Sequence, residues 1–126
     1  MKKAVSVFLL TASPAFALDQ RIVSQLQKLD PETRLEQRCD MESLDQIAKG
    51  GKGFKPDKVV AYTFSDPVHG ENSIEAPGAA FRSKGEWYRL SYSCKTGPKH
   101  LDVKAFNFEI GDQIPRGDWE QYYLYD

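Results

Sequence analysis

The sequence predicts an α+β domain: two N-terminal helices packed on an antiparallel sheet of about four strands, with one disulfide. Three observations predict it. Apolar residues recur at helical spacing as far as Lys49, then alternate with a period of two from Val59 onward. The glycine-rich stretch "KGGKG" at 49–53 separates the two regimes. The only two cysteines, Cys39 and Cys94, fall one in each.

The chain opens with Lys2 and Lys3, an apolar run from Ala4 to Ala12 broken only by Ser6 and Thr11, and the small-x-small pattern Ala15-Phe16-Ala17. This is the pattern of a secretory signal peptide, with cleavage expected after Ala17. Residues 1–17 are thus expected to be removed, leaving 18–126 as a single small α+β domain. The apolar run is too short to span a bilayer, and no later run approaches the roughly 18–20 apolar residues a spanning helix needs. No cysteine stands at the cleavage site to carry a lipid. The expected location is periplasmic or secreted.

Within the domain, Ile22, Val23, Leu26 and Leu29 place a short amphipathic helix over residues 19–29. A second helix begins at "LDPETRLEQRCD", where Asp30 is a good N-cap, Pro31 fits the first helical position and Glu32 favours the positive helix end. Leu35 and Cys39 share one face, whereas Met41, Leu44, Ile47 and Ala48 form a stripe rotated from it. A helix bent or interrupted near Asp40 is expected. Gly50 or Gly51 closes it in the left-handed conformation.

Val59–Phe64 reads as a strand with Val60, Tyr62 and Phe64 on one face, followed by loop chemistry in "SDPVHGENS". A strand around Ala79–Arg82, the tight turn "SKGE" and a strand from Trp87 to Lys95 follow. Tyr88, Leu90, Tyr92 and Cys94 share a face of the latter, where a helix lying across the sheet can present Cys39. After "TGPK", the run Leu101–Ile110 changes phase: Leu101, Val103 and Ala105 occupy one face, Phe106, Phe108 and Ile110 the other. A bulge, or burial on both faces, explains such a change.

Export to an oxidising compartment makes a Cys39–Cys94 disulfide the simplest fate of two cysteines. In the chain-entropy model a loop of this length is worth about 4 kcal/mol. Removing Lys2 and Lys3 from the 17 basic residues leaves 15 against 18 acidic ones, a net charge of −3. Nucleic acid, which selects clustered positive charge, is not an expected partner.

The stretches "LDPETRLEQRCD", "GFKPDKVVAYTF", "IEAPGAAFRSKGEWYRLSYSC" and "IPRGDWEQYYLY" resemble the small exported alphaproteobacterial proteins grouped as domain of unknown function 930. The resemblance covers nearly the whole of residues 18–126 and is most distinctive from Ile74 to Cys94. It implies a one-domain envelope protein and supplies no catalytic residues.

Candidate sites rest on their own chemistry. "DPVHGE" holds Asp66, His69 and Glu71, whose imidazole and carboxylates could ligate a divalent metal, a weak signal beside the expected reading as an ordinary polar loop. His100 and Asp102, two residues apart, could pair as an oriented base or stand as a solvent-facing pair at a hairpin. No nucleophile of matching spacing accompanies either histidine. Lys49, Lys52, Lys55 and Lys58 surround three glycines but lack the Walker spacing, so the run reads as a connector. "RGD" at 116–118 is read as a chance tripeptide. The C-terminal aromatics Trp119, Tyr122, Tyr123 and Tyr125 either complete the core or form a ligand platform, with Asp118 capping a short helix. The expected function is a non-enzymatic envelope module binding a protein, peptide or glycan, without cofactor or metal. The alternative is a small hydrolase or metal-dependent enzyme using His69 or His100 with nearby carboxylates.

Overall fold

The computed structural model describes residues 18–126, so the expected signal segment 1–17 lies outside the described residues. Helix α1 spans Gln20–Gln27, and its N-cap Asp19 accepts from the Arg21 amide at 2.8 Å. Helix α2 spans Pro31–Lys49, with the Asp30 carboxylate accepting from both the amide and the hydroxyl of Thr33. Arg34 reaches back to the end of α1, donating to the carbonyls of Leu26 and Leu29 at 3.0 and 2.9 Å. The Leu26 carbonyl also accepts from the Leu29 amide at 3.1 Å where α1 ends, so one side chain braces that end and joins it to α2.

The helix runs unbroken past Asp40, correcting the expected interruption. Its two apolar stripes serve two neighbours. Leu35, Cys39 and Ile47 are buried in the core beneath the sheet, whereas Met41 turns toward Ile22, Leu26 and Leu29 of the α1 segment. Asp40, instead of capping a new segment, accepts a hydrogen bond from the Tyr92 hydroxyl at 2.9 Å.

Strands β1 (Pro56–Val60), β2 (Val68–His69), β3 (Ser73–Ser83), β4 (Glu86–Thr96) and β5 (Val103–Gln113) form one antiparallel sheet in the order β1-β3-β4-β5, with β2 added beside β3. Strand β1 begins earlier and ends earlier than its composition indicates, because the chain turns at 61–65 to approach β3. There the Phe64 amide donates to the Gly78 carbonyl at 2.7 Å. A side chain at 78 would meet the Ser65 backbone nitrogen at 2.6 Å, so this approach requires glycine. The stretch read as loop contains β2, which pairs Val68 with Glu75 and His69 with Ile74.

The β3–β4 turn has positive φ at both Lys84 and Gly85, as a two-residue hairpin of matching twist requires. The phase change in β5 is a bulge. Lys95 opposes Ala105 and Thr96 opposes Val103, leaving Lys104 as the extra residue. A second irregularity places Gly111 and Asp112 opposite Arg89 alone. Phe106, Phe108 and Ile110 all pack against the main core.

Two cores result. The larger lies between α2 and the sheet and contains Cys39, Ile74, Phe81, Leu90, Tyr92 and Cys94, with the Cys39–Cys94 disulfide inside it at a Cα separation of 6.1 Å. The smaller lies on the opposite face, where Trp87, Ile114, Trp119 and Leu124 cluster. The tail that supplies it is two 3₁₀ turns, Arg116–Asp118 and Glu120–Tyr122, without a side-chain cap, in place of the expected helix capped by Asp118. The Trp119 indole donates to the Ile114 carbonyl at 3.0 Å, and that of Trp87 to the Tyr125 carbonyl at 2.8 Å.

Two stability outcomes follow from these cores. Thiol titration of denatured, unreduced protein is expected to find no free cysteine, and Cys39→Ser to lower the unfolding free energy by about 2–5 kcal/mol in a urea melt. Trp119→Ala removes a buried ring and its hydrogen bond, and is expected to cost about 3–5 kcal/mol in the same measurement.

Candidate functional site

The outer face of the sheet is only half covered. The C-terminal tail closes it over β1 and the β3–β4 turn, while the other half is open. There the outward residues of three adjacent strands, Glu75 of β3, Ser91 and Ser93 of β4, and Asn107 and Glu109 of β5, line a trough of about 470 Å³. A smaller hollow of about 170 Å³ shares Pro77, Ser91 and Glu109 with it and reaches Phe64 and Arg89. Period-two alternation is the cause: residues between the inward Leu90, Tyr92 and Cys94 must point out, and on these strands they are hydroxyls, an amide and carboxylates. The Ser93 hydroxyl donates to Glu75 at 2.8 Å, and the Arg89 guanidinium lies 3.8 Å from the centre of the Phe64 ring. The trough therefore offers acceptors flanked by one stacked cation and an aromatic ring.

The aromatic tail borders this region without forming one platform. Trp119 is buried, and Tyr122 is half-buried edge-on against Phe64 at 4.6 Å. Tyr123, with left-handed backbone, is 78 % exposed and Tyr125 65 %. Tyr123 ends the second 3₁₀ turn as its C-cap, whereas Trp119 precedes that turn and is buried.

A second concentration of titratable groups lies on the helix side. Glu32, Glu36 and Asp40 stand at successive i, i+4 positions along α2. His69 meets the first two across β2, with Nδ1 and Nε2 each 3.9 Å from a glutamate oxygen. Nε2 is buried without a hydrogen-bond partner. The expected neighbours Asp66 and Glu71 contribute nothing to this cluster: His69 takes its carboxylates from the helix, whose i, i+4 acidic spacing was the available signal. Among the described residues no three His, Cys, Asp or Glu side chains converge as metal ligands.

Burial pushes the Asp40 carboxyl up to about 8; the Tyr92 hydrogen bond opposes the shift, the Glu36 charge adds to it and Lys58 opposes it. Burial, with the neighbouring Asp40 charge, also raises Tyr92. Asp40 and Tyr92 thus join α2 to β4 through a carboxyl that is mostly protonated near neutral pH.

His100 corrects the reading of a solvent-facing hairpin pair. It is buried, with Nδ1 2.7 Å from the Pro31 carbonyl oxygen and Nε2 2.9 Å from that of Glu71 and 3.1 Å from the Asn72 side-chain oxygen. Its backbone has positive φ, and its ring braces the β4–β5 connection against the start of α2 and the loop before β3. Asp102 is exposed and is not among its hydrogen-bond partners. The lysines of the connector do not converge: Lys49 pairs with Asp45 at 3.0 Å, and Lys52 faces a hollow beside Phe54. Arg116 of the RGD stretch is held within the domain, 3.2 Å from Asp126 and stacked on Trp119.

A carboxyl whose folded pKa exceeds its unfolded value, about 3.9, takes up a proton on folding. The contribution of Asp40 is fully present below about pH 4 and is lost as pH rises through about 8. Asp40→Asn is expected to shrink the decline in unfolding free energy between pH 4 and 8 by about 1–3 kcal/mol relative to the parent, measured by urea melts across that range.

The chain matches the family model described as Domain of Unknown Function (DUF930) over residues 26–124. No curated protein matches it, and no solved structure does. The match spans the end of α1, all of α2, the whole sheet and the tail through Leu124, so the chain belongs to the DUF930 family.

Proposed function

We propose that the protein is an exported, periplasmic or secreted, non-enzymatic module that binds an envelope protein, peptide or glycan through the open half of its outer sheet face. The observation that carries this reading is the trough itself: acceptor groups from three neighbouring strands of one rigid sheet, with Arg89 and Phe64 at one end. Strands hold such groups at fixed spacing, so a polar ligand meets a preorganised surface and loses little to protein ordering. The exposed rings of Tyr123 and Tyr125 supply apolar contact on the tail that covers the other half of the face.

Export is supported by the signal pattern of residues 1–17 and by the buried disulfide, which persists in oxidising compartments. Both His100 nitrogens lie within hydrogen-bond distance of protein oxygens, which supports a bracing role for that histidine.

Ser91 lines both hollows, at the middle of the open face. Tagged protein is expected to capture a specific component from native envelope fractions. Ser91→Arg, which fills the trough, is expected to weaken that capture by about tenfold while leaving the unfolding midpoint in place. Undiminished capture by a folded Ser91→Arg variant refutes the assignment of the trough.

A further inference from the structure

The two outer edges of the sheet are built differently. Strand β1 is five residues long, opens with Pro56 and has a bulge at Asp57. Proline, bulges and shortness are the devices by which natural edges avoid further pairing. Strand β5 has eleven residues and no proline, and among the described residues nothing pairs with its outer side. Its two irregularities, at Lys104 and at Gly111–Asp112, leave a regular run from Ala105 to Ile110 between them.

The sequence of β5, "VKAFNFEIGDQ", is complementary to itself when reversed about Phe108. In that antiparallel register Phe108 meets Phe108 of a second copy on a two-fold axis. Phe106 lies opposite Ile110, Asn107 opposite Glu109, Ala105 opposite Gly111 and Lys104 opposite Asp112, each twice. Moving one strand by two residues weakens the match. One shift sets Glu109 against Glu109 and Phe106 against Asp112; the other keeps Phe106 opposite Phe108 but sets Ala105 against Glu109 and Lys104 against Ile110. A shift by one residue sets core-facing rings against outward polar side chains. Lys104 and Asp112 are exposed, and neither enters an ion pair among the described residues.

The helix side of this edge is also incomplete. A hollow of about 520 Å³ opens beside Phe108 and Ile110, walled by Ile47, Gly50, Lys52 and Phe54. Phe106, Phe108 and Ile110 are only half-buried although they belong to the main core. In the register centred on Phe108, Phe106 of the second copy stands beside Ile110, on the side of the sheet where this hollow lies.

We propose that β5 pairs with β5 of a second copy of this chain, in the antiparallel register centred on Phe108. The β1-β3-β4-β5 path of each sheet then continues into the other, and both α2 helices lie on the same side. The interface shares Asn107 and Glu109 with the border of the outer-face trough, whereas Lys104 and Asp112 do not line it.

A charge-swap cycle followed by sedimentation equilibrium tests it. The parent protein is expected to associate as a dimer. Lys104→Asp and Asp112→Lys each set like charges opposite one another at two symmetric places, and each is expected to raise the dimer dissociation constant by about tenfold. The double variant restores opposite charges in exchanged positions and is expected to return to within about threefold of the parent. Both side chains are exposed, and thermal melts of the isolated variants establish that they fold. A parent that stays monomeric over the whole concentration range overturns the proposal. So does a dimer indifferent to either substitution, or a double variant as weak as the singles combined.

Discussion

The Cys39–Cys94 bond is the constraint on which the domain depends. It joins the middle of α2 to the inward row of β4, a central strand, and both cysteines are fully buried. The crosslink spans 55 residues, so in the denatured chain it removes much of the freedom that separates the helical and strand-rich halves. Around it, Leu35, Ile47, Ile74, Phe81 and Leu90 close the main core. Polar braces surround the same junction. Arg38, itself buried, donates to the Leu101 carbonyl at 2.8 Å and pairs with Glu42, and Asp40 accepts from Tyr92. His100 ties the first turn of α2 to the loop before β3. A helix with a charge-rich sequence is thus held on an apolar sheet by one covalent bond and several satisfied polar contacts. A buried polar group left without such a partner would cost more than the contact itself contributes.

The strands then divide labour between their faces. Inward residues build the core under α2. Outward residues are large and apolar where the tail comes down, at Trp87 and Ile114, and mostly polar where it does not, at Ser91, Ser93, Asn107 and Glu109. The tail works as a partial cover. Its placement decides which half of the outer face is interior and which half is available to a ligand. The two irregularities in β5 serve the same division, keeping Val103, Phe106, Phe108 and Ile110 against the core despite the phase change between them.

The helix-side cluster and the outer trough differ in what they offer. His69, Glu32, Glu36, Asp40 and Tyr92 bring many titratable groups together, yet their contacts run between α2 and the sheet and so act as internal braces. The trough has fewer ionisable groups, but they face outward from rigid strands. Perturbed titration by itself accompanies structural ion-pair networks as well as functional sites, and here the shift at Asp40 follows from burial beneath the helix.

Much of the architecture was legible in the residues because it is written in local periodicity and stereochemistry. Asp30 and Pro31 start α2, Lys84 and Gly85 make the hairpin turn, and the alternation through Tyr88, Leu90, Tyr92 and Cys94 names the inward row, as the structure shows. The phase change within 101–110 is compatible with a bulge or with burial on both faces, and the structure has the bulge, at Lys104. What sequence alone could not decide were contacts between distant segments. Gly78 ends β1 early by admitting the backbone of residues 64–65, fourteen positions away in the chain at Phe64. His69 finds its glutamates on a helix more than thirty residues earlier, and His100 is held inward by oxygens from two remote segments, the start of α2 and the loop before β3. The covered and open halves of the outer face are likewise set by where the tail returns. Period and capping are properties of neighbouring residues and are carried by the sequence itself; burial and polar partnership depend on which remote segments close over a residue, and only the folded chain determines that.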